Sequence, residues 1–367
     1  MPRKEATPLS SAATTRVLDA LRDAPEAVSV TELVQSTALS RPTIQAALLL
    51  FRDLGWLRIT QRPSNPGLGG RPAEAYQFDG AAAQAVAARI CRSEVVATLL
   101  DAAGTEVRRI ARPIPDPSAI VPTLQSCLDD VLAENASAPA LIVVATLGIC
   151  HDGAVLESAT FPMLQGHALP RRLSRHYGVR VTFANDAKLS ALAQLRSLSR
   201  ADPDLSLVAI HVDQSPGCGL VVHHRILDGA HGAAGELAFG STMSWHDMER
   251  ALREAANAHG CVPVQVFTAA AAGDPWAVAA MESVVDLVAE GVVNLVLAID
   301  PHVVSLSGPG AIPGLWEERL AARLRPRVPR LPEIVVVEDE ESVLTGARLE
   351  TMAALHASRL AQLENRS

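Results

Sequence analysis

Aromatic side chains make up only 3% of this 367-residue chain, so its core must be built from Ala, Val and Leu rather than from stacked rings. No apolar run approaches the roughly 18 residues needed to cross a bilayer. The start, Met1-Pro2-Arg3-Lys4-Glu5, also lacks the apolar stretch of a secretory signal, so a cytoplasmic protein without a membrane partner is expected. The five cysteines, Cys91, Cys127, Cys150, Cys218 and Cys261, are odd in number and far apart with no CxxC pair. Neither a disulfide framework nor a thiolate zinc site is encoded, and reduced, mostly buried thiols are expected. Internal repeats and low-complexity segments are missing as well. What the chain does have is 49% apolar residues against 20% charged, with 24 Pro and 23 Gly dispersed along it, the composition of a packed globular protein. At about 100 to 200 residues per domain, its length supplies two or three domains.

The net charge of −8 would by itself argue against nucleic acid as a partner. The charge is unevenly spread. Residues 1–80 carry nine basic and eight acidic side chains, or +1, which leaves −9 on the other 287. Within 41–71, Arg41, Arg52, Arg58, Arg62 and Arg71 face only Asp53, a local +4.

The first 80 residues read as three helices and a hairpin. Thr14 and Thr15 can cap a helix through about Arg22, with Val17, Leu18 and Leu21 on one face. A second short helix starts at Thr31-Glu32-Leu33-Val34. Ser40-Arg41-Pro42-Thr43 then offers an N-cap with Pro in the first turn of a third, whose apolar face is Ile44, Ala47, Leu48 and Phe51 up to Gly55. Trp56–Ile59 and Glu74–Phe78 alternate as strands. This order is that of a winged helix-turn-helix. A recognition helix presents its N-terminal residues to base edges, so Ser40, Arg41, Thr43 and Gln45 are candidate base contacts. Arg58 and Arg62 of the wing suit phosphates, and Arg71, in Gly69-Gly70-Arg71-Pro72, suits an A·T-rich minor groove. The alternative is a small helical domain for protein contacts, its arginines a solvated face. Because one winged helix reads few base pairs, a homodimer or higher oligomer on a palindromic operator of double-stranded DNA is expected.

After Gly80 strands alternate with helices. Val86–Ile90 and Val95–Leu100 read as a hairpin, Ala140–Thr146, Arg180–Phe183, Ser206–Val212, Val303–Ser307 and Ile334–Val337 as further strands, and Ser118–Glu134, Ala187–Ser199, Pro275–Ile299 and Leu344–Gln362 as helices. The expected division is therefore a winged helix-turn-helix over 1–80 and an α/β domain over 81–367. Within the latter, a first lobe covers about 81–200, joined by the C-terminal helix, and a second covers about 201–340.

Phe183-Ala184-Asn185-Asp186-Ala187 and Leu227-Asp228-Gly229-Ala230-His231-Gly232-Ala233-Ala234-Gly235-Glu236 resemble the ENDANxAA and GxxGxAGExGH motifs of the ROK family. Val303-Val304-Ser305-Leu306-Ser307-Gly308-Pro309-Gly310 resembles that family's late adenosine motif. The resemblance spans nearly the whole chain. It implies a two-lobed, actin-like ATPase fold, and the N-terminal winged helix matches the transcriptional-repressor branch rather than the sugar kinases.

Departures from the family pattern bear on activity. The kinases place a DxGGTK phosphate loop where this chain has Arg89-Ile90-Cys91-Arg92-Ser93-Glu94, without the Asp or either glycine. The second loop, GTGxGxG in the family, is Asp213-Gln214-Ser215-Pro216-Gly217-Cys218-Gly219 here. Both losses point away from ATP binding, from any cofactor and from an enzyme. Sugar contacts are better kept. The resemblance makes Asn185, Asp186, Glu236 and, through an altered GC[LI]E segment, Glu249 the ligand residues for a sugar or sugar-derivative effector, although an Asn-Asp turn also serves simply to cap a helix. In kinases of the family the matching Asp is the general base. Phe239 stands where the family has a histidine serving zinc and sugar, and Ser241–Met248 contains none of the cysteines of the family's CxCGxxGC zinc loop, so no metal is expected. His223 and His224 would point to opposite faces of a strand and not chelate one ion. The expected function is a regulator, acting as repressor. A sugar kinase with an accessory DNA-binding domain and a regulator independent of any ligand are the alternatives.

Overall fold

The computed structural model describes residues 11–62, 73–133, 138–198, 204–214, 216–237 and 245–364. Arg71 and its Gly-Arg-Pro segment, Ser215 and Phe239 lie outside the described residues, as do the side chains of Arg62 and His246. Two compact units are formed. One comprises the residues up to Ala85, Leu100–Val107 and those from Met352 on; the other comprises Val86–Leu99 and Arg108–Thr351.

The first unit begins with α1 (Ser11–Arg22), β1 (Val28–Ser29), α2 (Val30–Thr37), α3 (Arg41–Asp53), β2 (Leu57–Arg62) and β3 (Ala73–Phe78), the strands ordered β1-β3-β2. Ser29 starts α2 through a capping box. Its hydroxyl accepts from the Glu32 N–H, while the Glu32 carboxylate accepts from the Ser29 N–H at 2.6 Å. Ser40 caps α3, with Pro42 in the first turn. Val17, Leu18, Leu21, Leu33, Ile44, Ala47, Leu48, Phe51 and Trp56 make the core, and Trp56 stacks on Phe51 with ring centroids 5.9 Å apart. One expectation needs correction. Helix α1 starts at Ser11, so Thr14 and Thr15 lie within it rather than capping it; Ala13 is buried one turn before Val17 and extends the apolar face upstream.

Two five-stranded sheets follow, most of whose residues belong to the second unit. The first has the order β10 (Arg180–Asn185), β7 (Leu141–Thr146), β4 (Gln84–Ile90), β5 (Glu94–Asp101) and β6 (Glu106–Pro113), with β4, β7 and β10 parallel. A hairpin of β8 (Ile149–His151) and β9 (Ala154–Glu157) follows β7, and α4 (Ile120–Leu132) and α5 (Ala168–Tyr177) accompany the sheet. The second sheet has the order β13 (Arg225–Ile226), β12 (Gly217–Val222), β11 (Leu207–His211), β14 (Val303–Ser307) and β15 (Glu333–Val336). In it β12 is antiparallel to both neighbours, while β11, β14 and β15 are parallel. Every residue of β7, β11 and β14 is buried, as befits parallel strands covered on both faces.

Helix α6 (Asp186–Ser197) packs on strands of both sheets, which is why its composition is Ala, Ser and Leu on all sides. Gly217 and Gly219 let β12 approach it, since a Cβ at either would come within 2.4 Å of Ala187 or Ala191. Helices α7 (Trp245–Ala258), α8 (Pro263–Ala271) and α10 (Leu315–Leu324) pack against α9 (Pro275–Ile299), whose Val284, Val285, Val288 and Val292 are buried. Helix α11 (Ser342–Glu364) is the last of the described elements. His223 and His224 form the tight turn between β12 and β13, with left-handed φ of 47° and 58°, so the opposite-face argument for a strand does not apply to them.

Candidate ligand site and nucleic-acid interface

A cavity of about 210 Å³ opens in the second unit between the β7–β8 turn, the hairpin end at Glu157 and Ser158, the start of α6, the start of β12, and α7. Asn185, Asp186, Glu236 and Glu249 all line it. Asn185 serves two purposes there. Its Oδ1 accepts from the Lys188 N–H at 2.9 Å, capping α6, while its Nδ2 donates to the Gly148 carbonyl at 2.9 Å and to Glu236 Oε1 at 3.3 Å. The same side chain thus caps α6 and joins it to Glu236. Asp186 accepts from the Ala187 N–H, and burial, then the Glu236 and Asp213 carboxylates, push its carboxyl up to about 7. Burial likewise raises Glu236 above the usual carboxylate range, against the pull of Lys188. Gly235 places Glu236 from a left-handed turn, φ +88°, where a Cβ would meet the Cys218 carbonyl at 2.3 Å. Glu249, on α7, accepts from Arg92 Nη2 at 3.0 Å. Glu157 adds a fourth carboxylate, and among the described residues no Lys, Arg or His lines the cavity. Such a wall of acceptors suits a ligand rich in hydroxyl donors.

Lys188 was missed by sequence reasoning. Its side chain is 8% exposed, and Nζ donates to Asp228 Oδ1 at 3.1 Å, to the Asp228 carbonyl at 3.1 Å and to the Gly232 carbonyl at 2.8 Å. It therefore ties α6 to the loop that delivers Glu236. The available signal was a lysine in the first turn of an Ala/Leu helix, where a buried charge persists only when fully partnered.

A second cavity, of about 250 Å³, is lined by the Arg89–Glu94 segment, Asp186, His211, Asp213, Gln214, Glu340 and Glu341. Here the resemblance would put ATP phosphates. Instead Arg89 Nη2 pairs with Glu94 Oε1 at 2.8 Å, so Glu94 is held by an arginine rather than standing free. Arg109 pairs with Glu341 beside it. Behind, the buried His211 imidazole lies 3.2 Å from the Ser342 hydroxyl, within a network that includes Ser190 and Ser307. Burial holds His211 below the usual imidazole value.

At the tip of α3, Ser40, Arg41 and Gln45 are exposed and Thr43 is half-buried. The hydroxyls of Ser40 and Thr43 lie 2.7 Å apart, so both are engaged in the cap, whereas Arg41 and Gln45 have no side-chain partner among the described residues. Arg58 on the wing pairs with Asp79 at 2.8 Å, which offsets part of the charge expected to meet phosphate. Among the described residues, no group of three or more His, Cys, Asp or Glu could hold a metal, and no helix is long and apolar enough to cross a membrane.

A sequence model of the ROK family matches residues 85–342, and one of the IclR helix-turn-helix domain matches residues 14–60. No curated protein matches the chain. Among solved structures it is similar to a ROK family transcriptional regulator, a homolog of the E. coli MLC protein, at a TM-score of 0.71 and 19% identity over 95% of this chain and 97% of that one. A ROK family glucokinase from Streptomyces griseus in complex with glucose and AMPPNP gives a TM-score of 0.61 at 16% identity, covering 73% of this chain and 99% of that one. For a ROK hexokinase from Thermus thermophilus the values are 0.57 and 23%, over 75% and 99%. The likeness establishes the fold, a helix-turn-helix domain followed by an actin-like kinase fold of two lobes.

Proposed function

The chain belongs to the ROK family, and from that premise we propose that it is a DNA-binding transcriptional regulator, acting as a repressor. Residues 1–80 read a palindromic operator, with Arg41 and Gln45 at base edges and Ser40, Thr43, Arg58, Arg62 and Arg71 in support. Residues 81–367 are a degenerate sugar-kinase domain that assembles the homodimer or higher oligomer and senses a sugar or sugar derivative through Asn185, Asp186, Glu236 and Glu249, without catalysis, cofactor or metal. The observation that carries this reading is the Arg89–Glu94 ion pair in the cavity where the resemblance would put ATP phosphates, in a chain that also carries a helix-turn-helix domain. Backbone N–H groups on a glycine loop would have to surround a triphosphate there, and an ion pair with further carboxylates offers no such cradle.

One observation favours the kinase alternative: an Asp186 carboxyl titrating near 7 is well suited to general-base work on a sugar hydroxyl. Two measurements decide. Selection of genomic fragments by the purified chain, followed by footprinting, should yield a two-fold symmetric site. ATP consumption with a panel of hexoses should stay at background, and turnover above it would restore the kinase reading.

A further inference from the structure

Helix α5 carries Arg171, Arg172, Arg175 and His176 and no carboxylate, and Arg180 follows just beyond it. Leu169, Pro170 and Leu173 are buried, and the helix packs on β10, while all four arginines and His176 are exposed. Among the described residues none of these arginines has a side-chain hydrogen bond or ion pair; His176 Nε2 lies 3.8 Å from Asp129 Oδ1. Elsewhere in the unit a comparable arginine row is neutralised, since Arg319 and Arg323 pair with Asp286 and Arg327 pairs with Glu290. The α5 row stands in a stretch of chain whose overall charge is −9, so it is no part of a general basic background. Arg175 and His176 complement the helix C-terminus, but Arg171, Arg172 and Arg180 gain nothing from that dipole.

The exposed members of α5 are Ala168 and the basic residues, so the face lacks the Trp, Tyr and large apolar anchors that carry affinity between proteins. Arg171 and Arg175 stand about 6 Å apart along the axis, against one phosphate per roughly 3.4 Å of each DNA strand. We propose that the exposed face of α5 binds the phosphate backbone of duplex DNA, independently of sequence, as a contact additional to that of α3. The proposal rests on the DNA-binding reading given above.

Because no base is read, the probe is a mixed-sequence duplex of about 40 base pairs, roughly four helical turns. Binding by the full chain is followed by fluorescence anisotropy from about 50 to 200 mM salt, for wild type and for a variant combining Arg171→Ala, Arg172→Ala and Arg175→Ala. Melting temperature should not move, since all three side chains are exposed. The slope of log K against log salt should become shallower by about 0.9 for each phosphate that the variant no longer neutralises, roughly two to three phosphates in all, with at least about a tenfold weaker affinity at the low-salt end. Arg225→Ala, an exposed arginine elsewhere in the unit, should leave the slope alone. A triple variant with wild-type slope and affinity overturns the α5 contact and leaves DNA binding itself intact. An unchanged slope with a lowered sedimentation coefficient assigns the face to contact between copies of the chain and overturns it equally. Wild-type protein without affinity for any duplex removes both readings together.

Discussion

The guanidinium of Arg92, in the turn between β4 and β5, donates to the Glu249 carboxylate of α7 at 3.0 Å. One partner belongs to the lining of the cavity beside Arg89 and Glu94 and the other to that of the cavity lined by Asn185, Asp186 and Glu236. A ligand hydroxyl seeking Glu249 competes with Arg92 for the same oxygens. Both side chains are partly exposed, at 39% and 22%, so removing the pair should cost at most about 1 kcal/mol of stability. Arg92→Ala should therefore tighten effector binding, by up to about fivefold, which corresponds to about 1 kcal/mol. Calorimetry with the effector in hand checks this; equal affinities would mean that Glu249 takes no part in holding the ligand.

Asp186 supplies a pH dependence. Its folded value of about 7 lies above the ordinary 3.8, so the folded state favours the protonated carboxyl. The stability this contributes is complete below about pH 4 and is lost as pH rises to 7 and beyond. Asp186→Asn should thus gain melting temperature relative to wild type at pH 8 and not at pH 4. The same substitution should reduce the response to ligand only modestly, because the amide keeps the shape and an acceptor. Parallel melting differences at the two pH values would contradict the assignment.

Much of this site was legible as residue identity and little of it as geometry. Asn185, Asp186, Glu236 and Glu249 could be picked out because motif spacing places them, and α9 runs over the expected Pro275–Ile299 because its apolar pattern is long and ends at the left-handed Asp300. Lys188 and Arg92 were not legible, since their roles depend on partners 40 and 157 residues away. Helix α5 was missed because Leu169 and Leu173 alone carry its apolar face beside Pro170, too short a period to register. The hairpin of β8 and β9 and the short β13 were overlooked because a few residues around a turn give no alternation to count.

In the first unit, His356 of α11 sits edge-on to Trp56, ring centroids 5.3 Å apart, and beside Phe78 at 6.5 Å. Its Nε2–H donates to the Ala102 carbonyl at 3.1 Å. Burial lowers its pKa, with Arg22 adding to that and Asp19 opposing it. A depressed imidazole contributes stability that is present above its unfolded value of about 6.5 and lost as pH falls through the folded one. Melting temperature should therefore drop on acidification below about pH 6, and His356→Gln should lessen the drop. An undiminished drop in the variant would place the sensitivity elsewhere.

Arg41 and Arg58 should fail differently on DNA. Arg41 is exposed at the start of α3 and has no side-chain partner among the described residues, so Arg41→Ala should cost about 1–3 kcal/mol on the specific operator and relax preference at one base pair. Arg58 shares its charge with Asp79, so Arg58→Ala should weaken all sequences alike and by less, with a slightly shallower salt dependence. Titrations on operator and scrambled duplexes separate the two. Operator binding that survives deletion of residues 1–80 would rule out this unit as the reader.

Glu236 is where the ligand reading stands or falls. The carboxylate is delivered by the left-handed Gly235 turn, receives the Asn185 amide, and is oriented indirectly by Lys188, which anchors the preceding loop. Truncation removes an acceptor and leaves the Asn185 Nδ2 with the Gly148 carbonyl alone. A buried hydrogen bond to a charged group contributes about 1.5–3 kcal/mol, so Glu236→Ala should weaken effector binding at least tenfold while leaving operator affinity without ligand unchanged. Thermal-shift screening of sugars and sugar derivatives finds the ligand, and calorimetry with wild type and variant then compares them. If the variant binds equally well, the effector occupies some cavity other than the one lined by Asn185, Asp186 and Glu236.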